Sequence, residues 1–158
     1  MAAEKYDEWQ YYQDVLKPKG KKAVDLVAMR RQAIPVTLWL IEAKNFRVIS
    51  SPPDRSNISG LAQTVADKVA ESLLGLEDAA KRAEIPAEKE HANRAIAAEQ
   101  RRIVLHLEPH VGPHSALFPR GFGAGVLQKL NQLVRSVDPN PLMASIAKPA
   151  RKVPWAVS

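Results

Sequence analysis

Two short apolar runs lie close together early in the chain. Residues 23–29, AVDLVAM, and residues 37–46, TLWLIEAKNF, are strand-length and rich in branched and aromatic side chains. A polar stretch containing Pro35 separates them, so the pattern predicts two strands joined as an antiparallel hairpin. Upstream, Trp9, Tyr12, Val15 and Leu16 recur at helical spacing, which predicts a helix over residues 4–16 stopped by Pro18 and Gly20. Downstream, Leu61, Val65, Val69, Leu73 and Leu76 recur every third or fourth residue. They predict a long amphipathic helix starting near Asn57 or Ser59, both capable N-caps. Residues 86–100 continue in a helical pattern; their Ala and Glu content predicts a solvent-facing helix.

The polar, proline-containing residues 47–59 read as a loop up to that helix start. Residues 101–109, RRIVLHLEP, read as a strand ended by Pro109. The Gly- and Pro-rich residues 110–125 predict a loop, and residues 126–137, VLQKLNQLVRSV, an amphipathic helix. PLMASIA and KVPWAV fit either a last pair of short strands or an extended tail. No internal repeat is visible. The predicted order is helix, strand, strand, helix, strand, helix. That order belongs to the α/β class, a central mixed sheet flanked by helices in one domain of residues 1–158.

Composition narrows the class of protein. Hydrophobic residues make up 46% and charged residues 25%, the balance of a soluble globular chain. Charges or prolines interrupt every apolar stretch before it reaches membrane-spanning length, and MAAEKYDEWQ has no apolar core for a secretory signal. A cytoplasmic protein without a membrane partner is therefore expected. The chain has no cysteine, which excludes disulfides, thiolate catalysis and cysteine zinc sites. The net charge of +6 is uneven. Residues 61–100 carry 5 Lys/Arg against 8 Asp/Glu, whereas residues 101–158 carry 8 against 2. A basic surface of this kind suits a polyanion or simply keeps the chain soluble.

The candidate chemistry sits in the hairpin. Glu42 and Lys44 follow the apolar half of the second strand, two residues apart and so on one face. Charges at the end of a buried strand are costly unless paired or metal-bound. A turn centred between Ala33 and Ile34 would place Asp25 opposite Glu42, with Cβ atoms about 5 Å apart. Two carboxylates that close repel unless a cation lies between them, and hard oxygen ligands favour Mg2+ or Mn2+. Lys44 on the same face could orient a water or stabilise developing charge. Trp39 alternates with Glu42 and is expected in the core on the opposite face.

VDLVAM followed by LWLIEAK resembles the PD-(D/E)XK nuclease superfamily, with its restriction-endonuclease-like fold. The resemblance rests on residues 23–46, and the order of elements extends it to about residue 107. It implies a metal-dependent nuclease that hydrolyses DNA or RNA. Asp25 matches the first acid, Glu42 the second and Lys44 the lysine, with the main-chain carbonyl of Ala43 as a further Mg2+ or Mn2+ ligand. The first helix of such nucleases often adds another acid, for which Glu8 and Asp7 both qualify. Val24 stands where a proline often precedes the first acid. Lys21 and Lys22, in a basic run with Lys17 and Lys19, are candidate phosphate contacts, as are Arg47, Arg55 and Lys68. No separate recognition domain fits in the chain, so specificity would be low or come from a homodimer or protein partner. The rival reading is a non-catalytic module that keeps the fold and binds nucleic acid or protein.

Other signals carry less. His106, His110 and His114 recur every fourth residue, but Pro109, Gly112 and Pro113 break any helix that would make them one metal face. GFGAG, residues 121–125, could offer backbone N–H groups to a phosphate, with Arg120 beside it, yet no clear strand leads into it. Trp9, Tyr11 and Tyr12 could stack on bases, although Trp9 and Tyr12 are the expected core.

Overall fold

The computed structural model describes residues 2–30, 34–47, 57–109 and 120–146. Its strands are β1 (Ala2–Lys5), β2 (Leu26–Met29), β3 (Thr37–Asn45), β4 (Gln100–Glu108) and β5 (Leu142–Ala144). They form one five-stranded sheet in the order β1-β2-β3-β4-β5. The helices are α1 (Asn57–Arg82), α2 (Pro86–Ile96) and α3 (Phe122–Val134). This is the expected α/β class, a mixed sheet flanked by helices. β2 runs antiparallel to both β1 and β3, and β5 runs parallel to β4. Backbone bonds from Gln100 to Val36 and from Phe46 to Glu108 make β3 and β4 parallel as well.

The hairpin register is the one the sequence predicts: Leu26 pairs with Ile41, Val27 with Leu40 and Met29 with Leu38. Four elements differ from expectation. Residues 2–5 are not helical; they form the edge strand β1, with Glu4 opposite Val27. The helical residues that follow are broken into a 3-10 turn at Tyr6–Glu8, a π-helical turn at Tyr12–Leu16 and a second 3-10 turn at Lys17–Lys19. The third difference is α3, which starts at Phe122 inside the glycine-rich segment, just after Gly121 in the left-handed region at φ 72°. The fourth is α2, which buries His91, Ala92 and Ala95 and so is not merely solvent-facing.

The contacts divide the chain into two compact units. The first comprises Met1–Ile41 and Asp67–Arg102. Its core gathers Tyr6, Trp9, Tyr12 and Leu16 with Val24, Val27, Leu38, Leu40, Val69 and Leu76. The buried positions of α1 in this unit include Val69, Ser72, Leu76 and Ala79, the three-four spacing of a helix with one apolar face. Buried Ser72 accepts the Val24 N–H at 2.9 Å, so the backbone entering β2 is not left unsatisfied. Tyr12 donates its hydroxyl to the Lys21 carbonyl, and Glu71 accepts the Lys22 N–H, which pins the basic run to this unit. Trp39 is buried, with the Arg102 guanidinium 5.7 Å from its ring centre.

The second unit comprises Glu42–Ala66 and Ile103–Ser158. Its core includes Ile103, Leu105, Phe122, Val126, Leu130 and Val134. Buried Asp138 closes the turn after α3. One carboxylate oxygen accepts the Ile103 N–H at 2.8 Å and the other the Asn140 N–H at 2.9 Å. Phe46 and Phe122 meet edge to face at 5.9 Å. Among the described residues no helix is long and apolar enough to cross a membrane.

Candidate functional site

In the second unit, β3 turns Glu42 and Lys44 to the same face, as the strand period requires. Glu42 is 1% exposed, and the Lys44 ammonium lies 2.9 Å from its Oε1. Lys44 itself is about a third exposed, at 31%, so it links a buried carboxylate to solvent. The position is physically coherent. A carboxylate is retained in the interior only when something cationic or a set of donors compensates its lost hydration. Ala43 points the other way and is exposed. Arg47 folds back on its own strand end, its N–H and Nε both donating to Asn45 Oδ1 at 3.0 and 3.2 Å.

In the first unit, Asp25 stands one residue before β2, partly buried. The Lys68 ammonium reaches from α1 to within 3.7 Å of its Oδ1. Asp7 shares this field. Burial, then the negative charges of Asp25 and Glu8, push the Asp7 carboxyl above its ordinary value, while Lys68 pulls it back. Glu8, the neighbouring candidate, is instead exposed and paired with Lys5 at 2.9 Å. The pairing of Lys68 with Asp25 had no signal in the sequence, because helix and strand bring together positions far apart in the chain.

The remaining sequence candidates fall as follows. Lys21 is exposed, and Lys22 pairs with Asp67 at 3.1 Å. Arg55, His110 and His114 lie outside the described residues. His106 sits on β4 with its Nε2 2.6 Å from Glu108 Oε1, which also accepts the Ile146 N–H at 2.6 Å. Trp9, Tyr11 and Tyr12 are all buried.

Among the described residues no group of three or more His, Asp or Glu side chains is arranged to hold a metal ion. Mg2+ does not require such a cage; it keeps several waters and uses one or two carboxylates together with substrate phosphates. Asp25 in the first unit, and Glu42 with the Ala43 carbonyl in the second, each offer hard oxygens of the kind that suits Mg2+ or Mn2+.

Comparison with known proteins adds one relationship. No protein-family model matches the chain, and no solved structure matches it. A cysteine–tRNA ligase from Neisseria meningitidis serogroup A is 29% identical over 194 aligned residues, which cover 98% of this chain and 27% of the ligase. The chain thus spans about a quarter of the length of that curated relative, and it is similar to a part of it.

Proposed function

We propose that this chain is a metal-dependent nuclease of the PD-(D/E)XK kind, with a restriction-endonuclease-like fold, hydrolysing phosphodiester bonds of DNA or RNA. The observation that carries the reading is the Glu42–Lys44 pair at the end of a buried strand, with the ammonium held at 2.9 Å and still reaching solvent. Support also comes from the antiparallel β2–β3 register, which matches the arrangement the motif needs. Asp25 and Glu42 would supply carboxylate oxygens to Mg2+ or Mn2+, and Ala43 its main-chain carbonyl. When bound, such an ion supplies charge stabilisation at a phosphoryl oxygen and lowers the pKa of a coordinated water. Lys44 would orient the attacking water and neutralise charge that develops on the phosphate. Of the two acids left open by the sequence, Asp7 is the better third carboxylate, because its charge is coupled to Asp25 and Lys68. Lys21, Lys22, Arg47, Arg55 and Lys68 remain the proposed phosphate contacts.

The burial of Glu42 also favours a second reading, in which the pair is structural and the chain a non-catalytic nucleic-acid-binding or docking module. One assay separates the two. The purified chain is incubated with plasmid DNA, single-stranded oligonucleotides and tRNA in Mg2+ or Mn2+. Transfer RNA is included because the partial relative is named as a tRNA ligase. The nuclease reading expects cleavage that Lys44→Ala slows about a hundred- to thousandfold, the usual cost of one preorganised electrostatic contact. Asp25→Asn should instead weaken Mn2+ binding, measured by calorimetry. Cleavage at the parental rate by Lys44→Ala would sink the assignment. Failure of the parent to cut any substrate would favour the docking module.

A further inference from the structure

In the first unit, backbone bonds bring together charged side chains from three separate segments: Asp7, Asp25 and Lys68. The Tyr6 N–H donates to the Asp25 carbonyl at 3.0 Å, which fixes the turn bearing Asp7 beside the entry to β2. The Gln13 side chain braces that turn by donating to the Asp7 carbonyl at 2.5 Å. α1 is tied to the same place, because Ser72 accepts the Val24 N–H at 2.9 Å. Lys68 lies one turn before Ser72 on the same helix face, so this contact carries it to Asp25. Its ammonium stands 3.7 Å from Asp25 Oδ1, and the two side chains are only 20% and 31% exposed. Asp7 feels the negative charge of Asp25 and the positive charge of Lys68.

Two partly buried carboxylates that sense each other's charge need a cation nearby. Lys68 supplies it. The separation of 3.7 Å is longer than a hydrogen bond, so charge holds the pair without a directional bond to lock it. A divalent ion at Asp25 would meet the same need with twice the charge, and it would repel the ammonium.

We propose that Lys68 is a built-in counter-ion of the metal-free protein, competing with Mg2+ or Mn2+ for Asp25 and drawn aside when the ion binds. The inference rests on the reading of Asp25 as a metal ligand. Lys68 is then a positioning residue. It holds Asp25 and Asp7 before the ion arrives and becomes available to a phosphate only afterwards. A simple phosphate contact would be left exposed, as Lys21 is.

The test is calorimetric titration of the full chain with MnCl2 in the absence of nucleic acid. The proteins compared are the parent, Lys68→Met, Lys68→Arg and Lys81→Met. Methionine keeps an unbranched stem and a high helix propensity, so α1 should be preserved. Lys68→Met should bind Mn2+ at least about fivefold more tightly, the factor that one unit-charge contact near 4 Å carries even in water. Lys68→Arg keeps the charge and should bind as the parent does. Lys81→Met removes the same charge about 20 Å further along α1 and should leave the affinity unchanged. Adding Asp25→Asn to Lys68→Met should cancel the gain. In thermal melts, one fixed Mn2+ concentration should raise the Tm of Lys68→Met by more than that of the parent. Equal or weaker Mn2+ binding by Lys68→Met, an equal gain in Lys81→Met, or a gain that survives Asp25→Asn would overturn the inference and leave a metal site standing. Absence of Mn2+ binding in both the parent and Lys68→Met would overturn the metal reading together with it.

Discussion

Gly75→Ala offers a test of packing in which two effects have opposite signs. Gly75 lies inside α1, where replacing glycine by alanine normally stabilises a helix by about 1 kcal/mol. Here an added Cβ would collide with the Tyr6 hydroxyl and come within 2.8 Å of Leu16 Cδ1. Leu16 presents a flexible side-chain end and can give way. Tyr6 cannot easily do so. It is 1% exposed, and its ring is boxed in by Trp9 at 5.0 Å and Tyr12 at 6.0 Å. Overpacking a tight core costs about 1–3 kcal/mol, so the expected net change is a loss of roughly 1 kcal/mol. For a chain of this size that lowers Tm by about 2–4 °C. Among the described residues the Tyr6 hydroxyl makes only a long contact, 3.5 Å to the Ser72 carbonyl, so Tyr6→Phe should cost little by itself. In a Tyr6→Phe background the obstacle is gone and Gly75→Ala should become neutral or stabilising. Urea denaturation of the four proteins gives a coupling energy, expected near 1 kcal/mol or more. If Gly75→Ala alone raises stability by the full helix-propensity gain, the close approach of Tyr6 to α1 is wrong.

Three further outcomes are expected. Asp138→Ala should destabilise the chain by about 2–3 kcal/mol in urea melts, because the Ile103 N–H loses a charged acceptor in the interior; an unchanged midpoint would remove Asp138 from its closing role. Because burial lowers the His91 pKa, the unfolded chain binds its proton more readily than the folded one. Stability should therefore be full above the ordinary value of 6.5, fall as pH drops through it, and level off below the folded-state value, with the slope reduced in His91→Leu. Nucleic-acid binding, measured by fluorescence anisotropy, should weaken steeply with salt, with a slope near −0.9 in log K against log salt for each duplex phosphate neutralised; a flat response would favour protein docking.

The pairing of β2 with β3 was legible because regular strand geometry carries the register outward from the turn position, although both faces of β3 are buried over residues 38–42. Glu42 and Lys44 were legible for the same reason, since a period of two puts them on one face whatever surrounds them. α1 declared itself through apolar positions repeated from Leu61 to Leu76, over about four turns, a signal strong enough to survive without context. β1 did not. Its four residues have no pattern of their own, and they are extended because β2 offers a free edge to pair with. The start of α3 was hidden by its glycines. Gly123 and Gly125 lie within α3 and let Met143 and Ile58 pack close, with a Cβ at either position meeting them at 3.1 Å.

Side-chain direction after a chain turn was the other thing only tertiary structure decided. Asp7 and Glu8 are equivalent acids in the sequence, yet one feels Asp25 and Lys68 and the other pairs with Lys5. The pairing of Lys68 with Asp25, and of His91 with Trp9, joins residues distant in the chain, and no local periodicity encodes such meetings. Period and composition act over a few residues and so determine which segments become strands and helices. Which polar groups end up sharing a field or a cavity depends on how those segments pack, and that is set by the burial of the whole core.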